Sequence, residues 1–209
     1  MNRVSGNTRW MLVWLVAVMC SSCALQPSFR PVTDPTMRFS GTGYSALPPQ
    51  GKEWYIQHHS RNPVVFLKLF PEKMEKYHTF GAMVMVMTWE VKNVHSSAEF
   101  PNAIKELFLA RETKGRFRLI SIKVAPFGSQ GSYCSQYDTV YEERDNPKAP
   151  GVTLEMTNHG FICLDVSSKF LIDAAYSERR PQGSGSFLDD ALKQEAEGFL
   201  KEVIVTPLQ

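Results

Sequence analysis

Three methionines, Met83, Met85 and Met87, alternate with valines in an apolar run and could present their sulfurs together. Alternate side chains of a strand point to the same face, so the three thioethers would line one side of a sheet. Thioethers are soft ligands that suit Cu(I), and His78 or His95 could complete such a site. Methionine also fills irregular gaps in cores, and the run is apolar on both faces, which favours packing. We therefore predict no cofactor, with Cu(I) binding or carriage of an apolar ligand as the alternative.

The other histidines give little support for metal or thiol chemistry. His58 and His59 are adjacent in a predicted strand, so their side chains point to opposite faces. His159 precedes Cys163 by four residues, but its Asn-His-Gly sequence is typical of a turn. The chain also lacks the nucleophile-elbow, P-loop, dinucleotide and metalloprotease motifs. We predict no catalytic residues, and an envelope hydrolase remains an alternative if one of these histidines meets a nucleophile or a carboxylate in a cleft.

Two polar clusters could bind a partner. Tyr133, Tyr137 and Tyr141 share one face of a predicted strand, where an aromatic row could bind sugar rings or a protein, or could cover the sheet beneath a helix. Arg179 and Arg180 end another strand and could hold a carboxylate or a phosphate. Such a cluster is more often a solvated or salt-bridged corner.

The N-terminus carries an export signal. Arg3 and Arg9 precede an apolar core of residues 10–20, and Ser21-Ser22 precede Cys23. A basic flank, a short apolar core and small residues at a cleavage site are typical of a secretory signal peptide, predicted here for residues 1–22. The core is too short to span a bilayer. An ordinary secretory signal without lipid is the competing interpretation.

The end of this signal resembles the lipobox of bacterial lipoproteins. The resemblance implies that Cys23 is acylated and becomes the mature N-terminus, so that the protein is lipid-anchored to a membrane on its periplasmic face. The residue after the cysteine is alanine (Ala24) and not aspartate. In enteric-type bacteria this resemblance implies transfer to the outer rather than the inner membrane.

Removal of the signal leaves Cys134 and Cys163 as an even pair in an oxidising compartment, and we predict a disulfide between them. The signal also takes two of the 23 basic residues, which leaves 21 against 21 acidic ones. A nucleic-acid binder usually carries a clear basic excess, so no nucleic-acid partner is predicted.

The predicted architecture is an α+β domain. Residues 23–50 are rich in proline and read as a tether that holds the domain off the bilayer, with one possible edge strand at 39–44. Residues 51–209 read as one globular domain: an antiparallel sheet with one inserted helix after residue 100 and one C-terminal helix. A turn is expected at 158–160 and a loop at 178–186. This order of elements resembles the Mog1/PsbP-like fold.

Together these features predict a membrane-anchored envelope lipoprotein. We expect it to act as a non-enzymatic binding or scaffolding module whose anchor raises its local concentration for partners at that surface. An envelope protein or a glycan could be that partner.

Overall fold

The computed structural model describes residues 29–58, 63–69, 77–88, 94–110, 116–128, 133–165 and 170–206. Within these ranges the chain forms short strands first, then long strands interrupted by one helix, and a second helix near the end. The elements are β1 (Arg30–Pro31), β2 (Phe39–Gly41), β3 (Tyr44–Ala46), β4 (Trp54–His58), β5 (Val64–Lys68), β6 (Thr79–Thr88), α1 (Phe100–Ala110), β7 (Phe117–Pro126), β8 (Cys134–Glu143), β9 (Leu154–Asp165), β10 (Phe170–Pro181), α2 (Asp190–Lys201) and β11 (Ile204–Val205).

The strands form two antiparallel sheets. The large sheet has eight strands in the order β1-β4-β5-β6-β10-β9-β8-β7, and the small sheet has three in the order β11-β3-β2. Consecutive strands β8, β9 and β10 pair as a meander, whereas β10 crosses back to pair with β6. The prediction of an α+β fold with an antiparallel sheet and two helices is confirmed.

The two helices pack on opposite faces of the large sheet. On the α2 face, Phe199 of the helix packs with Phe66 and Phe161 of the strands, and Tyr44 of the small sheet joins this core. On the α1 face, the helix and the sheet contribute a second core of Phe100, Ile104, Phe108, Tyr137, Ile162, Leu171 and Ala175. Alternation along each strand therefore sends neighbouring side chains into two different cores.

Strands β9 and β10 run further than the sequence indicates. The turn expected at 158–160 is wrong, because β9 continues through these residues. A Cβ at Gly160 would overlap the backbone of β10 at Ala174, so this glycine permits close approach of the strands. The loop expected at 178–186 begins only after Pro181, because residues 178–181 pair with residues 154–157 of β9. The buried Glu178 carboxylate accepts from Phe187 N at 2.8 Å.

The described part of the proline-rich stretch before residue 51 is not the tether that its composition predicts. It contributes β1, β2 and β3, and Tyr44 and Ala46 are both buried in the α2-face core. The packed structure therefore begins well before residue 51, and the expected edge strand at 39–44 is a hairpin of two strands. Residues 1–28, including the predicted signal and Cys23, lie outside the described residues.

A partly buried carboxylate joins α2 to strands β4 and β5. Glu195 Oε2 accepts from Trp54 Nε1 at 2.8 Å and from Lys68 Nζ at 2.6 Å. The Lys68 side chain is only 6% exposed, so its ammonium depends on this partner. Gly51, with a positive φ of 122°, lies against the same carboxylate, and a Cβ there would overlap it. The site thus needs a glycine, a carboxylate and a cation together.

Replacement of Glu195 by alanine should lower the free energy of unfolding by about 3 kcal/mol, because it leaves a buried ammonium unpaired. Urea unfolding followed by tryptophan fluorescence measures this loss. The matched double variant Glu195→Ala/Lys68→Met removes the charge as well and should regain part of the stability. Equal stability of the single and double variants would contradict this account.

The predicted disulfide is present. Cys134 of β8 and Cys163 of β9 lie directly opposite each other in the sheet, with a Cα–Cα distance of 4.1 Å, and their sulfurs are bonded. Both side chains point to the α2 face, where Cys163 is buried in the core. The bond closes a loop with a sequence separation of 29 residues.

Reduction of this bond should destabilise the folded state by about 3–4 kcal/mol, because the unfolded chain regains the entropy of the open loop. The measurement is urea unfolding of the native protein with and without a reductant. A Cys134→Ala/Cys163→Ala variant serves as the control, since its stability should not respond to reductant. An unchanged midpoint of the wild-type protein under reduction would contradict the expectation.

Candidate functional site

A pocket opens between the C-terminal half of α2 and strands β8 and β9, and we call it the α2-face pocket. Its volume is about 210 Å³, and its lining combines aromatic rings, one aliphatic side chain and several polar groups. Strand β9 supplies the floor, α2 supplies one wall, and the residue after β7 supplies the other. The lining residues are Phe127, Gln136, His159, Gly160, Phe161, Glu197, Leu200 and Lys201.

His159 and Asp138 form a pair at one end of this pocket. The β8–β9 register places them directly opposite each other, and His159 Nδ1 lies 2.6 Å from Asp138 Oδ1. An ionised carboxylate can only accept a hydrogen bond, so the pair assigns the ring proton to Nδ1 and leaves Nε2 as the second polar atom. The side chains are 38% and 59% exposed, so solvent reaches both.

The apolar part of the pocket is a stack of two phenyl rings. Phe127 and Phe161 lie with their ring centroids 4.8 Å apart and an interplanar angle of 18°. Phe161 is 4% exposed and belongs to the core, whereas Phe127 is 40% exposed. The stack thus leads from the buried core to the surface, and Leu200 adds an aliphatic side chain beside it.

The pKa of the Tyr176 hydroxyl in β10 depends on the charges around this pocket. Its ring lies 5.2 Å from the His159 ring, centroid to centroid. Burial raises the pKa of the Tyr176 hydroxyl above its ordinary value, and the negative charges of Glu197 and Asp138 raise it further. A carboxylate of α2 and a carboxylate of β8 therefore both oppose ionisation of the same Tyr176 hydroxyl.

In this pocket His159 meets a carboxylate, which is the condition that the hydrolase alternative required. His159 has its carboxylate partner, and a neutral ring could accept a proton at Nε2. Among the described residues that line the pocket, however, none is a serine, a threonine or a cysteine. No group of three or more His, Cys, Asp or Glu side chains in the described ranges is arranged to hold a metal ion.

The methionine row does not meet the predicted histidines. Met83 and Met87 pack against the α1-face core, and Met85 of the same row pairs in register with Asp173. His78 precedes β6 on the other face and makes an edge contact with Phe187 at 5.0 Å. The row is half-buried, and the α2-face pocket is lined by other residues.

The tyrosine row lies beneath helix α1. Phe100 and Phe108 of the helix contact the rings of Tyr133 and Tyr137 at 6.1 Å and 4.7 Å. The Tyr137 hydroxyl donates to the buried Asp173 carboxylate at 2.7 Å. Tyr133 and Tyr137 therefore lie between the sheet and α1, which agrees with the second interpretation of the sequence.

The arginine pair belongs to a salt-bridged corner. Arg180 Nη1 donates to Glu178 at 2.6 Å, its Nη2 also contacts Glu155, and Arg179 Nη1 lies 3.4 Å from Glu143. Both guanidinium groups are thus committed to carboxylates of the same domain. Burial raises the pKa of the nearby Glu142 carboxyl. Hydrogen bonds and positive charge from Arg118 and Arg144 outweigh this burial and hold the pKa below its usual value.

Other predicted residues contribute differently from the expectation. His95 donates its backbone N–H to Glu99 at 3.0 Å ahead of α1, and His58 ends β4. His59 and Cys23 lie outside the described residues.

Sequence reasoning did not find Asp138, Glu197 or Phe127, because their meeting depends on strand register and on where α2 packs on the sheet. In the described part of the chain, no helix combines the length and apolar character that a membrane span requires.

Comparisons with known proteins give only distant matches. No protein-family model matches the chain, and no curated protein matches it. Among solved structures, LpqN of Mycobacterium tuberculosis, described as involved in cell envelope biogenesis, is similar with 14% identity and a TM-score of 0.42, covering 86% of this chain and 91% of its own. The Ran-binding protein Mog1p of Saccharomyces cerevisiae is similar with 10% identity and a TM-score of 0.41, over 87% and 96%. Likenesses of this size say nothing about function.

The Tyr176 hydroxyl should titrate above the ordinary tyrosine pKa of about 10 in the folded protein. A Glu197→Gln substitution should lower that pKa, because it removes one of the negative charges that oppose ionisation. Ultraviolet absorbance of tyrosinate measures it, with a Tyr176→Phe variant subtracted. The control is Glu106→Gln, the same change on α1 at the other face of the sheet. An equal shift in both variants would contradict this geometry.

Proposed function

We propose that this protein is an exported, lipid-anchored lipoprotein of a bacterial envelope that works without catalysis as a binding or scaffolding module. Its binding element is the α2-face pocket, which receives a side chain of a partner protein. The observation that carries the proposal is the stack of Phe127 on Phe161, open to solvent at one end and continuous with the core at the other.

Two features support export and anchoring. The basic flank, the apolar core and the Ser-Ser-Cys sequence at Cys23 resemble a bacterial lipoprotein signal. The disulfide between Cys134 and Cys163 is of a kind that persists in oxidising compartments such as the periplasm. Ala24 directs such a lipoprotein to the outer membrane under the enteric sorting rule. Attached acyl chains then confine the domain to one surface, where its partners meet it at a raised local concentration.

The size of the pocket favours a side chain over a larger ligand. Small-molecule sites usually measure roughly 300–1,000 Å³, and about 210 Å³ is too little for a cofactor or a lipid chain with its headgroup. One aromatic or branched aliphatic side chain fits a space of this order. Interfaces commonly concentrate their binding energy in such an anchor, which fills a pocket ringed by polar groups. Gln136, Glu197 and Lys201 form that polar rim here.

A photo-crosslinking residue at the exposed position 136 tests this function in native membranes. We expect one specific crosslinked adduct, whose yield falls about tenfold in a Phe127→Ser variant, the effect of losing about 1.4 kcal/mol of binding energy. The matched control is Leu109→Ser, which removes a side chain of similar exposure from α1, on the other face of the sheet.

Equal loss of the adduct in both variants would mean that apolar surface in general, not the pocket, supports binding. Absence of any adduct at position 136, with the protein present and folded, would also contradict the proposal. Folding of each variant is checked by its urea unfolding midpoint, which should fall slightly in Phe127→Ser, because the ring stack on Phe161 is lost, and should stay near the wild-type value in Leu109→Ser.

A further inference from the structure

The edges of the two sheets differ in length. Strand β1 ends the large sheet with two residues, and β2 and β11 end the small sheet with three and two. Strand β7, at the other end of the large sheet, has ten residues. Within the described ranges no strand pairs with its outer side. An edge strand of this length presents a row of backbone N–H and C=O groups, which is a template for an added strand.

The strand register shows which backbone groups of β7 point outward. Phe127 donates its N–H to the carbonyl oxygen of Cys134, next to β7 and in β8, at 3.0 Å. In an antiparallel pair the residues of one strand alternate between bonding the partner strand and pointing away from it. Ile122 and Val124 lie at odd spacing from Phe127, so their N–H and C=O groups point away from β8. These two residues are therefore positioned to bond one further strand.

Two features limit the usable length of this edge. The register with β8 shifts between Leu119 and Ser121, which marks a β-bulge with Ile120 as the extra residue. Beyond the other end, Pro126 has no N–H to donate. An added strand therefore pairs with residues 121–125, which we call the β7 window. Ile120 is 50% exposed and presents an apolar side chain beside this window.

The charge at the β7 window comes from Lys123, since β7 contains no acidic residue. The register places Lys123 opposite Asp138, whose Oδ1 already lies 2.6 Å from His159 Nδ1. Arg116 and Arg118 form ion pairs with glutamates of β8. Lys123 is exposed and forms no ion pair with a described residue. An acidic side chain on an added strand would lie opposite this cation, and opposite charges on neighbouring strands attract.

We propose that the β7 window binds an extended segment of a partner protein, which adds a ninth strand to the large sheet and places an acidic side chain opposite Lys123. The backbone groups of Ile122 and Val124 make the main-chain hydrogen bonds, and the charge of Lys123 selects the segment. An apolar side chain of the segment packs on Ile120. This contact lies outside the α2-face pocket and depends on neither the pocket nor the lipid anchor.

A second copy of this chain is the less favourable occupant. If two copies paired antiparallel with their β7 windows aligned, Lys123 of one copy would lie opposite the same residue of the other. Like charges directly opposite each other destabilise a strand pair. A lysine on an edge strand is one of the ways in which proteins prevent such self-pairing. With an acidic segment, the same lysine attracts its partner.

The test uses the full chain as its host produces it, and peptides selected on it from a random heptapeptide display library. Hydrogen exchange of single backbone amides, followed by NMR, locates the contact. In the free protein we expect the amides of Ile122 and Val124 to exchange faster than those of Lys123 and Ala125, which bond to β8. A bound peptide should slow exchange at Ile122 and Val124 about tenfold or more, because it supplies their missing partners.

A charge swap tests the selection of the segment. We expect the selected peptides to share an acidic residue, and Lys123→Glu should weaken their binding about tenfold. Replacement of the shared acid by lysine in the peptide should restore binding to this variant, which also shows that the variant folds. The matched control is Lys105→Glu, the same change at an exposed position of α1, and it should leave the affinity unchanged.

Several results would overturn the proposal. A library that yields no binder, or only binders that leave the exchange of Ile122 and Val124 unchanged, means that this edge does not accept a strand. Protection of these amides without peptide means that the chain itself covers the edge or, if it rises with protein concentration, that a second copy does. Equal loss of binding in the two charge variants, or no rescue by the lysine peptide, overturns the acidic partner.

Discussion

The double burial of strand β10 is the constraint on which the rest of the structure depends. Its residues 171–175 are all buried, because Leu171 and Ala175 face α1 while Ile172 and Ala174 face α2. A strand covered on both faces needs helices on both sides of the sheet, and alternation then assigns every other side chain to one core or the other. The tyrosine row lies under α1 for this reason, and His159 lies beside α2.

This assignment also explains why the candidate site lies where it does. Helix α2 covers β9 and β10, but it does not reach across β8 and β7. The polar residues Gln136 and Asp138 of β8 are exposed on the same face. The pocket forms at that boundary, where the core stops and the Phe127–Phe161 stack continues to the surface. A disulfide between the two strands that carry Asp138 and His159 keeps their register next to the site.

Much of the fold could be predicted from residue patterns, because alternation and capping are local signals. The α+β class and the inserted helix followed from such patterns, whereas the pairing of Cys134 with Cys163 followed from the even number of cysteines left after removal of the predicted signal. The proline-rich segment before residue 51 could not be read this way, since its composition is that of a tether and only the packing of Tyr44 and Ala46 makes it part of the core. The prediction at Gly160 was wrong for a similar reason: an Asn-His-Gly sequence indicates a turn, while here the glycine allows two strands to approach.

The candidate site could not be predicted from local sequence patterns. His159 was identified, but its partner Asp138 lies 21 positions earlier, and only the β8–β9 register brings them together. Glu197 comes from a helix whose crossing point no sequence pattern fixes. The contact between Gly51 and Glu195 has a consequence for natural variation. Since the positive φ of 122° at position 51 strains any residue but glycine, and a Cβ there would also meet the carboxylate that holds Trp54 and Lys68, homologous chains with this turn should keep glycine at that position.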